Sequence, residues 1–286
     1  MKHAYSSIFE KVLHSNGSIR LDKYCFNLEE MNSISRAITL NNKLTDIDLS
    51  NNQISEEKAN FLFEELKANN HLKKLNLFNN NLEDEGMKSL SDTLALNSSL
   101  EYLNINNNKI TEIGVKYLSK GLRKNSSLKI LILSNNKIDD EGMRYLSDSL
   151  DSNQSLAIID LSRNCFKENG LKYFYNSVKN KNKSLRISFF CGIEIQKTFL
   201  LKKIDFLLDC NSKWDPNNTY YLCYFNKYYV AFLLSLKILT FSFTLKIPKF
   251  VILEILKRID RKSFLQIWKK DKKEEELMNE RKRKRN

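Results

Sequence analysis

Proline and glycine are scarce in this chain, at two and seven residues among 286. With so few breakers, long flexible linkers are not expected. Cysteine is sparse and odd in number: Cys25, Cys165, Cys191, Cys210 and Cys223. No pair has a CxxC spacing. That argues against a disulfide framework and a zinc site, and it points to a reducing compartment. The three histidines, His3, His14 and His71, are scattered, and none has a Cys or acid at ligand or catalytic spacing. No phosphate-cradling glycine loop occurs. The opening MKHAYSSIFEKVLHSNGS has no apolar h-region and no small-residue cleavage site, so no secretory signal is expected. Together these absences predict a non-enzymatic, cofactor-free, cytoplasmic protein.

Charge is present in excess of one sign but is unevenly placed. The formal net charge is +13. Residues 185–286 carry 22 Lys/Arg against 11 Asp/Glu, or +11, and residues 1–184 carry 25 against 23, or +2. The basic character therefore belongs to the C-terminal third.

What fills the first two thirds is a repeat. Leu44, Leu72, Leu100, Leu128 and Leu156 stand 28 residues apart, and each opens the pattern LxxLxLxxNxL. It reads Leu44-Ile47-Leu49-Asn52-Ile54, then Leu72-Leu75-Leu77-Asn80-Leu82, then Leu100-Leu103-Ile105-Asn108-Ile110. Leu128-Leu131-Leu133-Asn136-Ile138 and Leu156-Ile159-Leu161-Asn164-Phe166 follow. The period-2 apolar residues predict a short strand with one buried face. The row Asn52, Asn80, Asn108, Asn136, Asn164 is predicted to turn inward and satisfy backbone groups of its own and the neighbouring turn. The second half of each repeat changes period, as in Gly86-Leu90-Leu94, Gly114-Leu118-Leu122, Gly142-Leu146-Leu150 and Gly170-Phe174-Val178. Those spacings make one apolar helix stripe.

One such unit cannot bury its own apolar faces, so neighbours must stack. The expected fold is an α/β solenoid, a horseshoe with parallel strands on the concave face and helices on the convex face. Its expected organisation is a capping helix at 1–15, then one degenerate and five full repeats with a partial last strand over 16–188. An α-helical region over 189–268 and a charged tail over 269–286 complete the chain. The segment NSSLEYLNINNNKITEIGVKYLSKGLRKNSSLKILILSNNKIDDEGMRYLSDSL resembles the ribonuclease-inhibitor-like subfamily of leucine-rich-repeat proteins, whose pattern NOD-like receptors and the Ran GTPase-activating protein share. The resemblance covers roughly residues 16–188 and implies the same horseshoe.

Strand positions that do not point inward should face a partner. Most are polar, but Phe78, Tyr102, Ile130, Ile132 and Ile158 are not. They predict an apolar concave patch that binds another protein, since contiguous exposed apolar surface marks interaction sites. Burial beneath another part of the chain is the competing reading.

The C-terminal third is atypical. Residues 229–246 are strongly apolar around Lys237. The run is short for a membrane span and a central lysine is expensive in a bilayer, so buried helices are expected over a span. Residues 247–268 place Ile252, Ile255, Leu256 and Ile259 on one helical face. This segment resembles the start of an F-box. That likeness implies docking to a ubiquitin-ligase adaptor through Pro248, Phe250, Ile252, Leu256 and Ile259, although Phe250 stands where the box has an acid. It would make the protein a substrate receptor of a cullin-type ligase, a role that effectors of some intracellular microbes fill. In that case the protein would work in the host cytoplasm or nucleus. An amphipathic capping helix is the competing reading. The tail run RKRKR is read as solvated, with no specific nucleic-acid partner. A GTPase-activating role, implied by part of the repeat family, would rest on Arg163. It ranks low because that family's tail is acidic and this one is basic. The expected protein is a monomeric interaction scaffold.

Overall fold

A computed structural model describes residues 2–190. They form one seven-stranded parallel sheet in the order of the sequence, β1 to β7. The strands are β1 (Gly17–Arg20), β2 (Leu44–Asp48), β3 (Lys74–Asn76), β4 (Tyr102–Asn104), β5 (Ile130–Ile132), β6 (Ile158–Asp160) and β7 (Ile187–Phe189). Helices α1 (Lys2–Leu13), α2 (Leu28–Leu40), α3 (Glu56–Ala68), α4 (Glu83–Leu96), α5 (Glu112–Lys124), α6 (Asp140–Leu150) and α7 (Glu168–Asn180) alternate with them. Each helix packs on its sequence neighbours and each strand pairs with the next. This is the α/β solenoid that the 28-residue period predicts. From β2 to β6 the register is strict, so Ile47, Leu75, Leu103, Leu131 and Ile159 stand side by side.

The core is a set of rows running through the stack. In one repeat Leu72, Leu75, Leu77, Leu82, Met87, Leu90 and Leu94 are all fully buried. Each such side chain contributes about 1.5–3 kcal/mol of transfer free energy, and only when the adjacent repeat is present to cover it. At the N-terminal end, Val12 of α1 belongs to the same core, with Ile8, Phe9 and Leu13 packed against it.

Two local devices join consecutive helices. Asp84, in the first turn of α4, accepts from the backbone N–H of Thr111 (2.8 Å) and Gly114 (2.9 Å). Asp140 does the same for Lys167 (2.6 Å) and Gly170 (2.8 Å). A helix N-terminus leaves such N–H groups without partners, and a carboxylate suits both their hydrogen bonds and the helix dipole. Each acid therefore caps the helix of the following repeat. Glycine is needed for that approach. A Cβ on Gly114 would stand 2.5 Å from the Asp84 carboxylate. At Gly121 the constraint is backbone on backbone, since a Cβ there would stand 2.3 Å from the Ser91 carbonyl oxygen.

Just beyond β2 to β6 the chain turns through a left-handed residue: Asn51, Asn79, Asn107, Asn135 and Arg163, with φ of 59°, 53°, 56°, 55° and 53°. Asparagine tolerates this region better than most residues. Arg163 is the exposed exception.

Candidate interaction face

The inward row places its side chains as hydrogen-bond brackets between repeats. Asn80 Nδ2 donates to the carbonyls of Leu49 (3.1 Å) and Leu77 (3.0 Å), while its Oδ1 accepts from Asn52 and Ile54. Asn108 donates to Leu77 and Asn106 and accepts from Leu82. Asn52 binds Leu21, Tyr24 and Cys25; Asn136 and Asn164 repeat the scheme one and two turns on. All five are buried.

A second asparagine row, which the strand motif did not reveal, runs along the helix ends: Asn41, Asn69, Asn97, Asn125, Asn153 and Asn182. Asn125 Nδ2 donates to Leu94 O (2.8 Å) and Asn97 O (3.1 Å), and its Oδ1 accepts from the N–H of Ser127 and Leu128. Asn97 and Asn153 make the equivalent four bonds. The signal was present as an Asn three residues before each repeat's first leucine. His71 lies in this turn and is half-buried, and its backbone N–H donates to Asn69 Oδ1 at 3.0 Å. His14 does have an acid beside it, Glu10 at 3.1 Å one helical turn away, but both side chains are exposed. Among the described residues no cluster of His, Cys, Asp or Glu could hold a metal ion, and no helix is long and apolar enough to cross a membrane.

The concave face carries a third row. Asp48, Asn76, Asn104 and Asp160 each accept, through Oδ1, a hydrogen bond from the backbone N–H two residues on, at 2.9–3.1 Å. Ile132 occupies the same position on β5, in register with Asn104 and Asp160. It is half-buried and cannot make that bond.

Of the five apolar residues proposed for this face, four come together. Tyr102, Ile130 and Ile158 are register partners on β4, β5 and β6, and Ile132 lies two residues along β5. Phe78 does not join them: it lies past the end of β3, level with Asn106, whose carbonyl accepts from Asn79. Ile130 and Ile158 are also not free contact residues, at 2% and 5% exposure. In the register Ile130 stands between Tyr102 and Ile158. Tyr102 and Ile132 are half-buried.

Charge surrounds Tyr102. Its phenol is pushed up to about 12, first by burial and next by the negative charge of Asp48; Asp160 acts in the same direction and a side-chain hydrogen bond with Asn104 opposes them. Asp160 is a carboxylate at only 2% exposure. Its Oδ1 accepts from Ser162 N, and no cation among the described residues pairs with it. Asp48 has Arg20 at 3.6 Å, a guanidinium held more closely by Asp22 at 2.8 Å. The segment implied to bind a ligase adaptor, with Pro248, Phe250, Ile252, Leu256 and Ile259, and the apolar run 229–246 lie outside the described residues.

The Leucine Rich repeat family model matches four stretches of the chain, residues 40–57, 68–91, 96–119 and 124–147. No curated protein matches the sequence. Among solved structures, the chain is similar to the leiomodin-1 actin-binding site 2, at 16% identity over 52% of this chain and 86% of that one, with a TM-score of 0.48. The tropomodulin C-terminal domain of Caenorhabditis elegans aligns at 11% identity over 72% of this chain and 92% of its own, with a TM-score of 0.32. An internalin from Listeria monocytogenes aligns at 22% identity over 66% of this chain and 45% of its own, with a TM-score of 0.40.

Proposed function

Taking the chain as a solenoid of leucine-rich repeats, we propose that it is a protein-binding scaffold whose concave face, centred on Tyr102 and Ile132, receives the partner. Ile132 carries this reading. Four other repeats fill its position with an Asp or Asn that stabilises the turn after the strand. An isoleucine there gives up a hydrogen bond worth about 0.5–1.5 kcal/mol and leaves apolar surface facing out. Tyr102, one strand away, supplies the aromatic anchor that protein interfaces favour. Ile130 and Ile158 stand beside these two on neighbouring strand positions.

The test is the pair Tyr102→Ala with Ile132→Asp in the full chain. Partner capture should be lost, while helical content is kept and the melting temperature falls only slightly. Unfolding of the double variant would mean the face is internal core. Undiminished capture would move recognition to another surface.

A further inference from the structure

Four asparagines of the helix-end row open an Asn-x-Ser triplet: Asn97-Ser98-Ser99, Asn125-Ser126-Ser127, Asn153-Gln154-Ser155 and Asn182-Lys183-Ser184. That triplet is the acceptor signal for N-linked glycan transfer, and it ordinarily marks an exposed loop of a secreted protein. Here all four asparagines are buried, at no more than 5% exposure. We infer that the chain is built to fold in a compartment without N-glycan transfer, and that among the described residues only Asn16, in Asn16-Gly17-Ser18, can hold a glycan on the folded protein. This goes beyond the concave-face reading and stands independently of it.

The reason lies at the atom that transfer would modify. The side-chain Nδ2 carries two protons, and each of the four asparagines donates to two buried carbonyls. Asn97 donates to Leu66 O (2.7 Å) and Asn69 O (2.9 Å), and Asn125 to Leu94 O (2.8 Å) and Asn97 O (3.1 Å). Asn153 donates to Leu122 O (2.8 Å) and Asn125 O (3.0 Å), and Asn182 to Leu150 O and Asn153 O, both at 2.8 Å. A glycan replaces one proton with a bulky, hydrated group that belongs on a surface. A buried carbonyl then loses its donor, and the sugar meets the preceding repeat where the two must stack. The serines are accounted for as well. Ser99 Oγ donates to Leu72 O at 3.0 Å and Ser184 Oγ to Leu156 O at 2.9 Å. Asn41 and Asn69 hold the same row as Asn41-Asn42-Lys43 and Asn69-Asn70-His71, with no serine. The fold therefore needs the asparagine, and the acceptor triplet is a by-product of bonds between repeats. Asn16 differs, since it is exposed in the connection between α1 and β1.

Burial gives no protection where transfer precedes folding. In such a compartment the glycan arrives first and the repeat cannot close. The test is to make the full chain in eukaryotic cells twice, once in the cytosol and once behind a cleavable secretory signal. Glycan occupancy at each asparagine is then read by mass spectrometry in protease-resistant and protease-sensitive molecules. The cytosolic chain should be protease-resistant. The routed chain should carry glycans on the four row asparagines mainly in sensitive molecules, with occupancy in resistant molecules lower by roughly tenfold or more. Asn16 should be occupied in both. Comparable occupancy at any of the four in resistant molecules would overturn the inference, because the glycan would then fit the fold. A routed chain that is resistant with all four bare would overturn the compartment claim, since folding would outrun transfer. A protease-sensitive cytosolic chain would overturn it too, and an Asn16 bare in both fractions would overturn its assignment.

Discussion

From Asn41 to Asn182 every helix is followed by the same residue doing the same job, whereas along the concave row Asp48, Asn76, Asn104, Ile132 and Asp160 the fourth member drops out. The helix-end row shows what the fold demands of each repeat. The turn between helix and strand leaves backbone groups buried, and one amide side chain satisfies four of them. No repeat can dispense with it. The concave row faces outward, so its hydrogen bond is convenient but not required, and one repeat has exchanged it for an apolar side chain. A position where the repeat rule could be kept at no steric cost, and is not, is where binding is expected to have selected the residue.

The contrast predicts a gradient of effects. Asn125→Ala should be the most damaging, at about 3 kcal/mol, because two buried N–H groups and two carbonyls lose their partner at once. Asn108→Ala, in the strand row, should cost about 1–3 kcal/mol by the same reasoning. Chemical denaturation of the full chain checks both, and an unchanged midpoint for either would mean that its row is not sealed from water. Gly121→Ala should cost about 2 kcal/mol through overpacking, since a methyl group there meets the Ser91 backbone. A neutral result would show that α4 and α5 can separate freely.

Two smaller effects sharpen the comparison. The Tyr102 phenol titrates in the folded chain at about 12, above its ordinary 10. A raised folded value means the protonated phenol favours the fold fully below pH 10, and that contribution is lost as pH rises through 12. Tyr102→Phe should therefore lose less stability than the parent between pH 10 and 12, measured as denaturation midpoints at both ends. Equal losses would mean that the phenol is not desolvated. Smallest, Arg163→Asn should stabilise by about 0.5 kcal/mol, because Asn accepts the left-handed conformation that Arg holds there.

The fold was largely legible in the sequence because its signals recur. Five copies of LxxLxLxxNxL place the strands, and the register pairs the same motif positions that the spacing aligns. The helix-end asparagines were equally periodic, yet they fall between the strand motif and the helix stripe, where no apolar period draws attention. Asp84 and Asp140 read as ordinary acids of a helix start. Their reach into the next repeat depends on three-dimensional stacking that local spacing does not encode. The concave face was less legible for the same reason. Periodicity says which side a residue faces, so Ile130 and Ile158 looked accessible. How far neighbouring side chains screen them is a matter of packing, as is the separation of Phe78 from the other four.

Ile132→Asn puts the contrast between the two rows in one substitution. It converts the fourth concave position to the residue that Asn76 and Asn104 already use, so the hydrogen bond to the turn can form. The melting temperature and the affinity for a concave-face peptide should be measured on the same full-chain sample. Stability should stay unchanged or rise slightly, while affinity falls at least tenfold. A melting temperature several degrees lower would contradict this, because it would make Ile132 part of the core rather than the surface that meets a partner.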